Sequence, residues 1–290
     1  MSLSLKTQGA ATLRLLGKPF GGIGGAICGA GLGLFIFVAL FAPLLAPYAY
    51  DAQDLARIGL PPSAENWFGT DEFGRDVLSR VIYGARISLS VGLTAVALSA
   101  SAGILIGALC GYFGGRFDRI TMAAIDLTWC FPEILLALVL VAILGPGLNS
   151  TVIAIAVAYL AQFTRLTRTQ VRALKGETFV EVSRCLGAGH AHILLRHLLP
   201  NALAPVIVVA MLTTGDAILL EATLGFFGMG AQPPTPSWGA MMSSGSAQLF
   251  NAPWVVIIPG LFVALSVIFI NVYGDAILAA LDVKNRIRRA

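Results

Sequence analysis

Ile87–Phe113 reads ISLSVGLTAVALSASAGILIGALCGYF, with no Asp, Glu, Lys or Arg in it. A helix crossing the hydrocarbon core of a bilayer needs about 20 mostly apolar residues, and this stretch supplies them. Similar stretches lie on both sides of it. Pro19–Tyr50 is also free of charge and predicts a helix over Gly22–Leu45, ended by Pro43 and Pro47. Between Arg119 and Arg165 the only charges are Asp126 and Glu133, and the turn-forming run Gly145-Pro146-Gly147-Leu148-Asn149-Ser150 divides the stretch into helices over 120–144 and 149–167. A fifth helix is expected over Asn201–Gly225. Ala222–Gly274 is then uncharged: its Gly-, Pro- and Ser-rich first half reads as a loop or partly re-entrant segment, and Pro253–Leu281 as a sixth helix. The pattern is that of an all-α integral membrane protein with six transmembrane helices.

Composition agrees. Of 290 residues, 57% are hydrophobic and 12% charged, and the mean hydropathy is +0.83. A soluble domain carries about 25% charged residues, so this chain could not cover a water-facing surface. Disorder, a disulfide scaffold and a basic nucleic-acid binder are excluded on the same ground. Cys28, Cys110, Cys130 and Cys185 show no metal-ligand spacing and read as small buried hydrophobes. Orientation follows from the cations. With the N-terminus inside, 15 of the 19 Lys and Arg fall on the inner side and only Arg57, Arg75, Arg80 and Arg86 on the outer. Both termini are then cytoplasmic. The expected layout is a cytoplasmic segment 1–21 and a transmembrane domain 22–290, with outer loops 46–86 and 226–252 and an inner loop 168–200. The first apolar stretch is longer than a signal-peptide core and has no convincing cleavage site, so an uncleaved first helix is expected.

Two glycine stripes recur every four residues: Gly21, Gly25, Gly29 and Gly33, then Gly103, Gly107, Gly111 and Gly115. Each leaves a groove that another helix can enter, within this bundle or at a subunit interface. Asp126, Glu133, Asp216, Glu221 and Asp275 lie in or beside the spans. Most fall near helix ends, which argues against a proton relay, while Asp216 and Glu221 are candidates to line a pathway.

The inner segment Arg165–Asn201, RLTRTQVRALKGETFVEVSRCLGAGHAHILLRHLLPN, is the most informative. Thr178 and Glu181 have capping-box spacing, which predicts a helix starting near Thr178, running through Arg184 and breaking at Gly187-Ala188-Gly189. A second piece, His190–Leu199, runs into Pro200, where a sharp redirection into the fifth span is expected. A short rigid helix leading into a span can transmit a partner's movement. A basic connector attracted to lipid headgroups would carry similar residues.

This segment resembles the signature loop of ABC importer permeases, Glu-Ala-Ala, three residues, Gly, nine residues, Ile-x-Leu-Pro. Glu181, Gly187, Leu199 and Pro200 match at that spacing, while Val182, Ser183 and His197 depart from it. Trp67-Phe68-Gly69-Thr70-Asp71-Glu72-Phe73-Gly74-Arg75-Asp76-Val77-Leu78-Ser79-Arg80 is similar to the segment before the second span in C-type permeases of dipeptide and oligopeptide importers. Read physically, it holds two i, i+4 pairs, Asp71 with Arg75 and Asp76 with Arg80, in a turn followed by a helix at the outer interface, where surface charge pairing alone would explain them. Gly228–Gly239 resembles the family's last outer loop, with Trp238 able to anchor at headgroup level. Asn271, Gly274, Asp275, Leu281 and Asp282 match its ending, with Leu278 and Val283 in place of a usual arginine and proline.

The resemblance implies a type I ABC importer permease fold with a coupling helix between helices 4 and 5. In that reading Thr178, Glu181, Arg184, Gly187, Leu199 and Pro200 shape the ATPase-coupling element, and Gly69, Thr70, Asp71, Gly74, Arg75 and Asp76 form the outer interface motif. It also implies a second homologous permease, two ATPase subunits, an extracytoplasmic solute-binding protein and surrounding lipid, with no nucleic acid. ATP and Mg would be held by the ATPase partners. This chain has no Gly-x-x-x-x-Gly-Lys-Ser/Thr cradle, and no catalytic, cofactor or metal residues are assigned to it. A secondary transporter would need paired repeats, which are not evident. An intramembrane hydrolase would need a nucleophile and base, and His190, His192 and His197 cluster without either. Di- and oligopeptides are the implied cargo; nickel chelates, metallophores, opines and glutathione are carried by the same permease type.

Overall fold

The computed structural model describes the backbone of residues 23–289 and the side chains of residues 24–279. The segment 1–21, Gly21 of the first stripe and the side chains of Leu281, Asp282 and Val283 lie outside the described residues. The main helices are α1 (Ile23–Leu40), α2 (Val77–Phe113), α3 (Gly115–Thr128), α4 (Glu133–Leu144), α5 (Leu148–Lys175), α6 (Thr178–Cys185), α7 (His190–Phe226), α8 (Trp238–Gly245) and α9 (Trp254–Arg289). Among the described residues α2, α5, α7 and α9 are long and apolar enough to cross a membrane, and α3 with α4 makes a bent fifth. The remaining expected span, α1, has 18 residues and rises about 27 Å, near the lower limit for a crossing.

The core is built round α2 and α5, whose backbones nearly touch along the second glycine stripe. A Cβ at Gly103 would lie 2.5 Å from Phe163 Cβ, and one at Gly111 2.8 Å from the Arg168 carbonyl. This stripe therefore serves packing within the bundle. Gly115, its last member, faces open space, and so does Gly33 of the first stripe. Around this pair, Ala95, Val141, Ile155, Phe163, Val206 and Leu224 form one continuous buried cluster.

Several boundaries differ from expectation. Helix α2 begins at Val77, ten residues before Ile87, so the helix expected at the outer interface is the start of α2 itself. Asp76 caps it, accepting from the Ser79 N–H at 2.8 Å, and the charge of Arg80 is paired within the fold. Its 37 residues rise about 55 Å, more than a bilayer with its headgroups, so α2 carries structure beyond the membrane. The third span is not one helix: α3 and α4 meet at 88°. Pro132 disfavours helical backbone at Phe131 and cannot continue the ladder of α3. Helix α5 continues eight residues past its expected end at Thr167, to Lys175, because Arg165 and Arg168 pair with α3 instead of ending it.

Pro200 causes no sharp redirection. Helix α7 runs unbroken from His190, and Ile193–Leu198 widens into a π-turn immediately before the proline. A wider turn removes the need for the N–H that proline lacks and relieves the clash with the carbonyl four residues back. Trp238 does not face headgroups either, since protein encloses it. It is the first residue of α8 and fully buried, its Nε1 donating to the Val81 carbonyl at 3.1 Å and its ring lying against Phe35 and Phe262. Gly84 makes room for it, since a Cβ there would lie 3.0 Å from the indole.

Candidate functional site

Helix α6 sits at the far end of α2 from the segment 48–76. Its first residue is Thr178 and its N-cap is Glu177, which makes no side-chain cap. The expected capping box is not formed: Thr178 lies one position inside the helix, where its hydroxyl cannot reach back to the free N–H groups. Hydrophobic seating holds the helix instead. Val180 is fully buried in a cluster with Tyr112 of α2, Val171 of α5 and Ile193, Leu194 and Leu198 of α7. The Tyr112 hydroxyl lies 2.7 Å from His190 Nδ1, and Lys175 donates to the Tyr112 carbonyl, which fastens both ends of the loop to α2.

The other faces of α6 are open. Thr178, Glu181 and Arg184 are exposed, and so are Phe179, Val182 and Leu186, the last 83% exposed. Three large apolar side chains displayed on a short helix and its C-cap are a surface suited to a protein partner. Gly187 ends the element with φ +83°, a conformation that disfavours a side chain even though the space beside it is empty. Leu199 packs against the Val180 cluster, while Pro200 is exposed beside it. Sequence reasoning missed Val180, although it stands alone on the side opposite the Phe179, Val182 and Leu186 row.

At the other end of α2 the motif 69–76 forms a buried polar clamp. Asp71 Oδ1 accepts the Phe73 and Arg75 N–H groups, both at 2.9 Å, and Oδ2 accepts Arg75 Nε at 2.7 Å. Arg80 Nε also approaches Oδ2, at 3.3 Å, and Arg80 Nη1 donates to the Tyr50 carbonyl. Of the two expected pairs, Asp71 with Arg75 forms and Asp76 with Arg80 does not. Asp76 is occupied by capping α2 and by Asn66 Nδ2 at 2.9 Å, leaving Arg80 for Asp71. Nor is this surface charge: Asp71, Arg75, Asp76 and Arg80 are each at most 5% exposed.

Backbone conformation keeps the clamp closed. Gly69 and Gly74 adopt φ +74° and +71°, and a Cβ at either would run into the backbone of the preceding loop, at Leu60 and Asp54 respectively. Thr70 exchanges hydrogen bonds with Leu60, and its carbonyl accepts Trp254 Nε1 at 3.2 Å. The first turns of α2 and α9 are thereby joined through one loop. No titratable pair or nucleophile within it is arranged for bond chemistry, and the described residues contain no group of three or more His, Cys, Asp or Glu able to hold a metal.

The two candidate pathway carboxylates are placed differently. Asp216 is exposed on α7, whereas Glu221 is fully enclosed in this conformation, both its oxygens without a hydrogen-bond partner and Ser88 and Ser237 its polar neighbours. Glu133, not singled out from the sequence as a site residue, starts α4 at the 88° bend, beside the hydroxyl of Tyr159.

Residues 103–287 match the family described as binding-protein-dependent transport system inner membrane component, and residues 24–62 match the N-terminal transmembrane domain of oligopeptide transport permease C. The dipeptide transport system permease protein DppC of Alkalihalophilus pseudofirmus is 44% identical over 250 residues, covering 86% of this chain and 82% of that one. The di/tripeptide permease DppC of Pseudomonas aeruginosa is 46% identical over 257 residues, 87% and 85% of the two chains. The glutathione permease GsiD of Escherichia coli is 43% identical over 252 residues, 87% and 83%. In fold, the chain is similar to an inward-facing MetNI methionine ABC transporter structure, with TM-score 0.56 and 22% identity over 70% of this chain and 95% of that one. These matches across the chain, on a bundle of long apolar helices, place it: it is a multi-pass inner-membrane transport subunit, not an enzyme, and belongs to the binding-protein-dependent ABC importer permeases, in the C-type branch of the dipeptide and oligopeptide systems.

Proposed function

We propose that this chain is one of two homologous membrane subunits of an importer for di- and oligopeptides, crossing the membrane six times with both termini and α6 in the cytoplasm. The observation that carries this reading is α6 itself: one side is locked by Val180 to α2, α5 and α7, and the other displays Phe179, Val182 and Leu186 to a partner. ATPase subunits holding ATP and Mg dock there. Because Val180 sits on Ile193, Leu194 and Leu198, a displacement of α6 enters α7 directly, and α7 continues into the membrane as far as Phe226. The spans then exchange inward- and outward-open arrangements as a two-state shift.

The segment 48–76 faces outside, where the clamp supplies a rigid platform for a solute-binding protein. Asp216 lines the path between the two permeases, since an exposed carboxylate within a span must face water or a partner and not lipid. A peptide cargo is supported by the relatives named for dipeptides and di/tripeptides, and the glutathione permease among them makes glutathione the alternative to test.

The experiment is uptake of a radiolabelled dipeptide into cells carrying the complete transporter. Uptake should need ATP, and excess glutathione should compete weakly. Uptake that survives ATP depletion and collapses with an uncoupler would identify a secondary transporter instead. For orientation, a cysteine at Trp67 should react with an impermeant thiol reagent in intact spheroplasts, and one at Leu186 only after lysis; the reverse pattern would invert the topology.

A further inference from the structure

The end of the bundle that carries α6 also holds a cleft of about 770 Å³ between α3 and α5, and its walls are charged. Asp118, Arg119 and Asp126 come from α3, and Arg165, Arg168 and Arg172 from α5. Two of the four guanidiniums are neutralised in place. Arg168 grips Asp118 with both Nε and Nη2, the latter at 2.6 Å from Oδ2. Arg165 Nη2 lies 2.6 Å from Asp126 Oδ1, and its plane covers the Trp129 ring at 4.0 Å.

The other two are in surplus. Arg119 makes no ion pair among the described residues, and Arg172 approaches only Asp118, at 3.9 Å, a carboxylate already taken by Arg168. The cleft therefore carries two uncompensated positive charges on exposed side chains. Alongside it α3 is apolar: Phe117, Ile120 and Leu127 are 51%, 71% and 64% exposed. The 88° bend between α3 and α4 leaves that apolar side of α3 open and available to acyl chains.

We infer that this cleft binds the phosphate of an anionic phospholipid, held by Arg119 and Arg172, with the acyl chains along Phe117, Ile120 and Leu127. Guanidinium forks match phosphate oxygens in pairs, and basic pockets between transmembrane helices on the cytoplasmic side take acidic headgroups. The inference rests on the proposed orientation, which puts this end in the cytoplasmic leaflet. A free phosphate offers the same group without the chains, and the apolar flank of α3 favours the lipid.

The test is native mass spectrometry of the intact transporter, purified in mild detergent and equilibrated with equal phosphatidylglycerol and phosphatidylcholine. Wild type should retain phosphatidylglycerol preferentially. The double variant Arg119→Ala/Arg172→Ala should lose that retention roughly thirtyfold, as expected for two surface cations, with phosphatidylcholine unchanged. Arg116→Ala, on the same helix but outside the cleft, should behave as wild type. Should the alanine pair fail to assemble, Arg119→Gln/Arg172→Gln serves in its place, and Arg119→Lys/Arg172→Lys should recover most of the binding. Equal retention of the two lipids by wild type, or an unaffected double variant, would overturn the inference. Displacement of the lipid by millimolar inorganic phosphate would reassign the cleft to free phosphate, and displacement by dipeptide to cargo; either overturns it. Lipid retention is read without transport, so a failure of the peptide reading shows separately, in the uptake assay.

Discussion

Asp71 accepts two backbone N–H groups and lies against two guanidiniums while 1% exposed. With Glu72 paired to Arg75 at 2.7 Å and Asp76 held by Asn66 and the start of α2, the clamp holds three anions and two cations. Removing one partner strands the rest, so Asp71→Ala should destabilise the purified chain by about 3–5 kcal/mol, seen as a large fall in melting temperature in detergent. The exposed pair of Arg57 and Glu65 provides the contrast: Glu65→Ala should cost at most about 1 kcal/mol in the same assay. Glu221 behaves oppositely to Asp71. It is fully buried with no cation paired to it among the described residues, so Glu221→Gln should leave stability unchanged or raise it by about 1–3 kcal/mol. A marked loss of stability would instead reveal a partner for the ionised carboxylate. The sequence spacing identifies the clamp residues and one of the two pairs, Asp71 with Arg75, but gives Arg80 to Asp76 instead of Asp71, because i, i+4 geometry is equally available to Asp76 and Arg80. What decided between them was helix capping and Asn66, a contact ten residues away that local spacing does not contain.

Among the elements, α6 depends on a single anchor. Val180→Asp would put a carboxylate into the apolar cluster and should release α6, lowering ATP-driven uptake at least tenfold while the chain still inserts. Undiminished uptake would show that the anchor is not needed for coupling. Gly187→Val should act through the backbone, straining the end of α6 by roughly 1–2 kcal/mol with no clash to relieve. In the membrane, Gly107→Leu has no room against the Thr164 carbonyl and should prevent α2 from packing on α5, whereas Gly33→Ala should be silent; folded yield by size-exclusion chromatography distinguishes the two. Elements delimited by charge-free runs and glycine breaks were legible from sequence: the division near Gly145–Ser150 and the end of α6 at Gly187 both match. Charges misled wherever a partner absorbs them, as at Arg80 in α2 and at Arg165 and Arg168 in α5. Pro200 and Pro132 look alike as helix breakers, yet a π-turn accommodates one and the other stands at an 88° bend.

For the whole molecule, α2 joins the two extramembrane structures, with the clamp around its first turn and the seat of α6 against Ala108 and Tyr112 in its last. In the proposed arrangement, binding-protein docking at one end and ATPase docking at the other would address the same closely packed pair, α2 and α5. Family membership was legible because four motifs fall in order along the chain; the buried place of Trp238 was not, since it depends on Gly84 and Phe262 from other elements. The central claim, that α6 is where an ATPase subunit docks, is tested most directly by a photo-crosslinking residue at Val182, which is 51% exposed and away from the seat of Val180. Irradiation in native membranes, followed by mass spectrometry of the adduct, should recover an ATP-binding-cassette subunit. Adducts with lipid alone, from a transporter active in peptide uptake, would contradict the account.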